Sequence, residues 1–236
     1  MSGASDDRAV EAVAARALDL IEDGARVGLG SGRAAAAFIA LLGERVRAGL
    51  RVAGVPTSEA TERQARDLGI PVMALDESVE LDLTIDGADE VAPNLDLVKG
   101  FGGALVRERI VAAASRRQVI MVGHEKLVRA LGEHGRIPIE LIPFARGPAV
   151  RRLRSLGLEP RLRTGPDGAR PVITENGNLL LDCAPREVLR DGPAARALEA
   201  VLRAIPGVVD TGLFLGTAER VLVGYPDGRV DVLGGR

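Results

Sequence analysis

The sequence is poor in cysteine, histidine and aromatic residues, and each shortage excludes a class of site. Cys183 is the only cysteine, so the chain cannot form an intrachain disulfide, and a cytoplasmic setting is expected. His124 and His134 are the only histidines, and with Cys183 they lack the spacing of a zinc site. Four phenylalanines, one tyrosine and no tryptophan do not provide a base-stacking platform for nucleic acid.

Strong net charge and long apolar runs are also missing. The formal net charge of -2 gives no global basic field that would attract nucleic acid. The stretch "MSGASDDRAV" has no basic and apolar signal region, and no apolar run approaches the roughly 20 residues of a membrane span. With 46% hydrophobic residues, the composition predicts a soluble globular protein of one large or two small domains.

The first half of the chain alternates between buried-strand and amphipathic-helix patterns. The predicted strands are "RVGLG", "LRVAGVPTS", "IPVMAL", "LDLTID" and "RQVIMVG". The predicted helices include "RAAAAFIALLGERV", "GALVRERIVAAAS" and "SEATERQARDLG", the last with Ser58 as its cap. This alternation is typical of an α/β fold with a doubly wound, mostly parallel, Rossmann-like sheet.

The second half changes to a different order of elements. Strand patterns in "IPIELIPFA", "LEPRLRT", "PVITENG" and "NLLLDCAP" combine with helix patterns in "GPAVRRLRSLG" and "GPAARALEAVLRAIPG". The order β-α-β-β-α-β that they suggest predicts a ferredoxin-like α+β domain, after which the last strands return to the first sheet. The expected domains are 1–131 plus 208–236 for the α/β domain and 132–207 for the inserted one.

The stretch "VGLGSGRAAAAFI" places a glycine turn directly before a helix. Backbone N–H groups at such a turn bind anions and the Ser31 hydroxyl adds a donor, so we predict a phosphate loop. Gly30, Gly32 and Ala35 also fit a loose dinucleotide pattern. The next strand, however, ends in Pro, Thr and Ser without an acid for a ribose hydroxyl, which disfavours NAD. The alternative is a turn that needs glycine for steric reasons alone.

Four further candidate residues lie in "LTIDGADEVAPNLDLVKGFGGALVRERI". Asp86 and Asp89 follow a strand, and paired carboxylates serve as acid and base on sugar hydroxyls or as metal ligands; the alternative is an Asp-Gly turn with a helix cap. Lys99 precedes glycines whose N–H groups suit an oxyanion or enediolate oxygen. Glu108 is expected about two turns into the next helix, where the alternative is a surface residue paired with an arginine.

The chain resembles the type A family of ribose-5-phosphate isomerases over nearly its whole length. The shared blocks follow in order: "GLGSG", "GVPTS", "TIDGADEVAPNLDLVKGFGGALVRERIVA", "KLV", "IPIELIPFA", "TENGNLLLDC" and "IPGVVDTGLFLGTAERVLVG". The resemblance implies interconversion of ribose 5-phosphate and ribulose 5-phosphate through a cis-enediolate, in the non-oxidative pentose phosphate pathway. It also implies an inserted ferredoxin-like domain, no metal or organic cofactor, and a homodimer or homotetramer.

The same resemblance implies roles for individual residues. Glu108 would move a proton between C2 and C1, and Lys99 would stabilise the enediolate. Asp86 and Asp89 would bind the sugar and assist ring opening. The other implied substrate contacts are Ser31, Gly32, Arg33, Ala34, Gly87, Ala88, Gly100, Phe101, Gly102 and Lys126.

Several positions depart from the family pattern. The family's phosphate loop commonly reads G-[TS]-G-S-T-A, whereas this chain reads "GSGRAAA", so Arg33 and Ala34 replace two hydroxyl donors. The family tends to carry a lysine near the phosphate where this chain has Val10, and a glycine or basic residue where it has Phe101. We expect Arg33 to supply the missing cation, because guanidinium matches phosphate bidentately; the alternative is that Arg33 points to solvent.

Three other functions are compatible with parts of the sequence: a phosphosugar sensor, an isomerase of another sugar phosphate and an NAD-dependent oxidoreductase. A non-catalytic phosphosugar sensor, or an isomerase of another sugar phosphate, would keep the phosphate loop. Glu108 and Lys99 disfavour the sensor, as does the short stretch before the first strand, where no DNA-binding helix-turn-helix is expected. An NAD-dependent oxidoreductase is disfavoured by the missing acid after the second strand.

Overall fold

A computed structural model describes residues 2–190 and 192–235, with side chains from Asp7 onward. Its helices are α1 Ser2–Leu18, α2 Arg33–Arg47, α3 Glu59–Asp67, α4 Leu105–Ala113, α5 Arg146–Ser155 and α6 Gly192–Arg203, with 3-10 turns at His124–Lys126 and Pro143–Ala145. Its strands are β1 Ala25–Leu29, β2 Val52–Pro56, β3 Leu83–Gly87, β4 Glu90–Val91, β5 Leu97–Val98, β6 Gln118–Gly123, β7 Ile137–Leu141, β8 Leu158–Leu162, β9 Leu179–Pro185, β10 Val208–Thr211, β11 Leu213–Phe214, β12 Arg220–Gly224 and β13 Val230–Gly234.

The chain divides into two compact units. The first contains the chain up to Ala88, Arg107–Lys126 and the residues from Gly216 onward, and the second contains Asp89–Val106 and Leu127–Leu215. These limits differ from the expected boundaries at 131/132 and 207/208. The reason is strand pairing, because β5 pairs with both β4 and β11, and β10 pairs with β7.

The first unit is built on a mostly parallel sheet, as predicted. The strand order is β13-β12-β6-β3-β1-β2, and only β13 runs antiparallel to its neighbour. Most residues of the central strands are apolar and buried, and Phe38 and Ile39 of α2 join Leu29 and Ile85 in the core. The carboxyl ends of β1, β3 and β6 therefore lie along one edge of this sheet.

The second unit contains two smaller antiparallel sheets. One has the strand order β10-β7-β9-β8 and includes α5 and α6 between its strands; the other has the order β11-β5-β4. Along β7, the apolar Ile137, Ile139 and Leu141 alternate with Pro138 and Glu140, and the three apolar residues enter the core of this unit.

Two predicted strands are wrong. "IPVMAL" forms only an isolated bridge between Val72 and Gly54, and "PVITENG" forms isolated bridges through Pro171 and Ile173. In the first segment, Gly54 N–H donates to the Pro71 carbonyl and Met73 N–H donates to the Gly54 carbonyl, which is too little pairing to form a strand. Hydrophobicity alone therefore overestimated the pairing of both segments. The short strands β4, β5 and β11 were not predicted, because two residues are too few to show an alternating pattern.

Two phenylalanines provide a matched test of this packing. Phe38 is fully buried in the core of the first unit, whereas the side chain of Phe144 is fully exposed. Phe38→Ala should lower the free energy of unfolding by about 3–5 kcal/mol through lost burial and a cavity. Phe144→Ala should change it by less than about 0.5 kcal/mol. Urea unfolding followed by circular dichroism measures both, and equal losses would contradict the packing described.

Candidate functional site

The glycine turn after β1 lies against the end of β3. Gly30 N–H donates to the Ile85 carbonyl at 2.9 Å. The Oδ1 atom of buried Asp86 accepts N–H bonds from Ser31 at 3.1 Å and from Gly87 at 2.7 Å. A Cβ at Gly30 would lie 2.6 Å from the Cα of Asp86, so only glycine permits this approach. The predicted phosphate loop and the predicted carboxylate are therefore joined directly.

The Ser31 hydroxyl belongs to a cluster that was not predicted. Its Oγ lies 2.7 Å from Thr57 Oγ1, donates to Ser58 Oγ at 2.9 Å and lies 3.4 Å from Thr61 Oγ1. Thr61 Oγ1 in turn donates to the Gly30 carbonyl at 2.9 Å. The cap of α3 by Ser58, which accepts from Thr61 N–H, is confirmed. The Thr-Ser pair in "GVPTS" is the sequence signal for two members of this cluster.

The N-terminus of α2 follows directly after Ser31. Gly32, with φ of 91°, is the N-cap residue, and no side-chain hydrogen bond caps the helix there among the described residues. Such a terminus offers backbone N–H groups and a positive dipole end to an anion. The side chain of Arg33 is more than half exposed, with Nη1 3.8 Å from Asp7 Oδ1, and Ala34 packs partly against the core.

Glu108 and Lys126 lie in the first unit on other elements. Glu108 is in the first turn of α4, not about two turns in, because that helix begins at Leu105. The side chain is only 6% exposed, so the alternative of a surface residue is wrong. Lys126 is half-buried and ends the 3-10 turn after β6, on the sheet edge where Asp86 lies.

The second unit carries Asp89, Lys99 and the glycine-rich loop 100–103. Asp89 N–H donates to the Val98 carbonyl, and Asp89 Oδ2 accepts the Phe101 N–H, both at 2.8 Å. Lys99 is 2% exposed, and its Nζ lies 5.6 Å from the centroid of the Phe214 ring. Gly100 has φ of 102°, a backbone conformation that favours glycine. The structure thus brings together Asp89, Lys99 and the loop that includes Gly102.

Glu90 is a buried carboxylate directly beside Asp89. Its oxygens accept the backbone N–H groups of Gly132 and His134, both at 2.6 Å, so the segment around Gly132 is tied to β4. Burial raises the pKa of Glu90, although these two hydrogen bonds act in the opposite direction.

Each of these groups, taken by itself, has a chemistry that suits one part of an anionic sugar. Hydroxyl and backbone donors around Ser31 suit a phosphate, carboxylates suit sugar hydroxyls, and a buried ammonium suits an oxyanion. Among residues 2–190 and 192–235, no group of three or more His, Cys, Asp or Glu side chains has metal-binding geometry. Within the same ranges, no helix is long and apolar enough to cross a membrane.

Comparison with known proteins adds independent information. The family model "Ribose 5-phosphate isomerase A (phosphoriboisomerase A)" matches residues 53–228. The ribose-5-phosphate isomerase A of Gloeobacter violaceus is 50% identical over 226 residues, which cover 94% of each chain. That of Deinococcus radiodurans is 48% identical over 218 residues, covering 91% of this chain and 93% of the relative.

Solved structures agree with the sequence comparisons. Ribose 5-phosphate isomerase A from Methanocaldococcus jannaschii has a TM-score of 0.89 and 40% identity, covering 97% of this chain and 98% of that one. A D-ribose-5-phosphate isomerase in complex with phospho-erythronic acid has a TM-score of 0.91 and 37% identity, with the same coverage.

Glu90 and Glu133 should affect stability with opposite pH dependence. Burial raises the pKa of Glu90, so its stabilising contribution is fully present below the ordinary glutamate pKa of 4.5 and is lost as pH rises through the raised value. Hydrogen bonds from Arg129 lower the pKa of Glu133, so its contribution is present above 4.5 and is lost as pH falls through the lowered value.

Melting temperatures of the wild type, Glu90→Gln and Glu133→Gln, measured from about pH 3 to about pH 7, test this difference. The wild-type advantage over Glu90→Gln should shrink as pH rises, and the advantage over Glu133→Gln should grow. If the wild-type advantage over both variants changed with pH in the same direction, the raised pKa of Glu90 would be refuted.

Proposed function

Since the chain belongs to the ribose 5-phosphate isomerase A family and is an aldose–ketose isomerase of ribose 5-phosphate and ribulose 5-phosphate, we propose that it acts through a cis-enediolate with Glu108 as the base. The observation that carries this proposal is the burial of Glu108, a carboxylate in the first turn of α4 and within the matched family block. The product and substrate place the enzyme in the pentose phosphate pathway.

The reaction defines what the base must do. The C2–H bond of the open-chain aldose breaks, its electrons form the enediolate double bond, and Glu108 takes the proton. The same carboxyl group returns the proton to C1, while O1 gains a proton, O2 loses one and the carbonyl forms at C2. C2 is oxidised and C1 reduced by the same two electrons, so the balance requires no external electron acceptor. One carboxylate positioned over both carbons suffices.

Lys99 is proposed to stabilise the negative charge that develops on the enediolate oxygen. Its ammonium group is almost fully withdrawn from water, where a charge interaction is stronger than at the surface. The backbone of Gly100, Phe101 and Gly102 is proposed to surround the substrate, with the N–H groups of Gly100 and Gly102 as donors, because the Phe101 N–H donates to Asp89. A fixed cation and fixed dipoles need little reorganisation when charge appears.

Asp86 and Asp89 are proposed to bind the sugar hydroxyls and to assist ring opening. Opening the furanose removes a proton from the C1 hydroxyl and adds one to the ring oxygen, which carboxyl groups can mediate. Hydrogen bonds from Ser31 and Gly87 fix Asp86, and the Phe101 N–H fixes Asp89. Each carboxyl group is thus held in a defined orientation.

The phosphate is proposed to bind at the start of α2. Ser31 supplies a hydroxyl oriented by its cluster, and the backbone at Gly32 supplies N–H donors at a helix N-terminus. The proposed contacts around the phosphate and the sugar are Ser31, Gly32, Arg33, Ala34, Gly87, Ala88 and Lys126. Arg33 is proposed as the cation that replaces the family lysine.

Other features are proposed at the level of the whole protein. The order β-α-β-β-α-β around an antiparallel four-stranded sheet supports a ferredoxin-like assignment for this part of the second unit. The first sheet, parallel except for β13, supports a doubly wound, Rossmann-like assignment. A homodimer or homotetramer in the cytoplasm is proposed from family resemblance.

Glu108→Gln tests the proposed base. The amide cannot accept the C2 proton, so formation of ribulose 5-phosphate from ribose 5-phosphate should fall at least about a hundredfold. The assay is run in chelator-treated buffer, with Glu44→Gln on the exposed face of α2 as control. Near-wild-type turnover of a folded Glu108→Gln variant would eliminate Glu108 as the base. An inactive wild-type protein would instead argue against the isomerase itself.

Arg33→Ala tests the proposed phosphate cation. Loss of a guanidinium contact to phosphate should raise the KM for ribose 5-phosphate about tenfold while kcat changes little, because the contact is made in ground state and transition state alike. Arg47→Ala, at the exposed C-terminal end of the same helix, is the control. An unchanged KM for Arg33→Ala would mean that this side chain does not contact the phosphate and instead faces solvent or pairs with Asp7.

A further inference from the structure

The side chain of Arg163 is bound to the backbone of the loop that follows Lys99. Arg163 directly follows β8, and its Nη1 donates to the Gly100 carbonyl at 3.0 Å and to the Phe101 carbonyl at 3.1 Å. Both carbonyls belong to residues proposed to contact substrate. One guanidinium nitrogen therefore holds two consecutive peptide units of the loop.

Asp182 of β9 fixes the guanidinium group in this position. Arg163 Nε donates to Asp182 Oδ2 at 2.9 Å, and Nη2 donates to Oδ1 at 2.5 Å. The two side chains are 12% and 16% exposed, so water competes little with this bidentate pair. β8 and β9 are paired strands, and Arg163 N–H directly after β8 donates to the Leu180 carbonyl of β9 at 2.9 Å, so the backbone of Arg163 is also bound to the strand that carries Asp182.

Asp182 also pairs with Arg136, which contacts the same loop. Its Oδ1 lies 3.4 Å from Arg136 Nε, and Arg136 Cζ lies 3.8 Å from the centroid of the Phe101 ring. This distance is within the range of a cation–π contact. The Asp182 carboxylate thus pairs with two arginines. Arg163 binds the loop backbone, and Arg136 lies over the Phe101 ring.

The orientation of the peptide between Gly100 and Phe101 follows from these contacts. A planar trans peptide directs its carbonyl and its N–H to opposite sides. Arg163 binds the carbonyl side, and Asp89 Oδ2 accepts the N–H side at 2.8 Å. The peptide is therefore held from both sides, and the guanidinium also polarises it, which strengthens the N–H as a donor to Asp89.

The loop needs such support because its composition is flexible. Gly100, Gly102 and Gly103 lack the side chains that would restrict the backbone, and Gly100 and Gly103 both have positive φ. Donors that stabilise a developing charge act only when their direction is fixed before the reaction. Arg163 provides this restraint from a position directly after β8, 63 residues further along the chain than Gly100.

We propose that Arg163, held by Asp182, is a positioning residue for the isomerase, because it fixes the loop 100–102 and, through the Phe101 N–H, the side chain of Asp89. The inference rests on the proposed roles of that loop and of Asp89 in isomerisation. Arg163 itself acts through the backbone and is not assigned a contact with substrate.

The test compares Arg163→Gln, Arg163→Lys and Asp182→Asn with Arg161→Gln, whose arginine is exposed on β8. Arg163→Gln should lower kcat at least about tenfold and leave the KM for ribose 5-phosphate within about threefold, because the phosphate contacts lie elsewhere. Arg163→Lys should fall between Arg163→Gln and wild type, since an ammonium reaches one carbonyl but lacks the fork that matches Asp182. Arg161→Gln should resemble wild type.

A double-mutant cycle separates positioning from general destabilisation. If Arg163 acts as a unit with Asp182, the double variant should lose no more kcat than Arg163→Gln alone, and melting temperatures should not track the kcat losses. Wild-type kcat in folded Arg163→Gln overturns the proposal. If that variant does not fold, wild-type kcat in both Arg163→Lys and Asp182→Asn overturns it instead. Inactivity of the wild type would refute the isomerase function, which is a separate outcome.

Discussion

The buried carboxylate of Asp86 is the contact on which the glycine turn of the first unit depends. A carboxylate withdrawn from water is costly unless hydrogen-bond donors replace its hydration. Here the donors include the backbone N–H groups of Ser31 and Gly87, so satisfying the charge also fixes the turn that follows β1. Gly30 makes this possible, because any larger residue would collide with Asp86. The position of the predicted phosphate loop is thus set by the end of β3.

The same physical solution recurs in the second unit. The loop after Lys99 is rich in glycine, which permits positive φ and close approach but leaves the backbone unrestrained. Asp89 and Arg163 restrain it by binding opposite sides of one peptide. In both units, a glycine loop supplies N–H groups and a charged side chain from another element fixes their direction. Preorganised donors of this kind are what an enediolate reaction requires.

Local patterns predicted the elements, but not the contacts that complete the site. The parallel sheet and the Ser58 cap were predictable, because apolar runs and capping residues act over short stretches. The strand predicted at "IPVMAL" was wrong, because hydrophobicity does not reveal how far a segment pairs with its neighbour, and here the pairing is a single bridge between Val72 and Gly54. The link between Arg163 and the loop joins residues 63 positions apart, and no local pattern encodes such a pair.

The departure at Arg33 is compatible with phosphate binding on energetic grounds. The pair between Arg33 and Asp7 has a separation of 3.8 Å and lies at the surface, where such pairs contribute less than about 1 kcal/mol. A dianionic phosphate at the N-terminus of α2 would offer Arg33 a stronger partner, since charge-assisted bidentate contacts exceed a distant exposed pair. Exchanging Asp7 for phosphate therefore costs little. The exposed Arg33 side chain is therefore compatible with the proposed phosphate contact, in place of the two hydroxyl donors that this loop lacks.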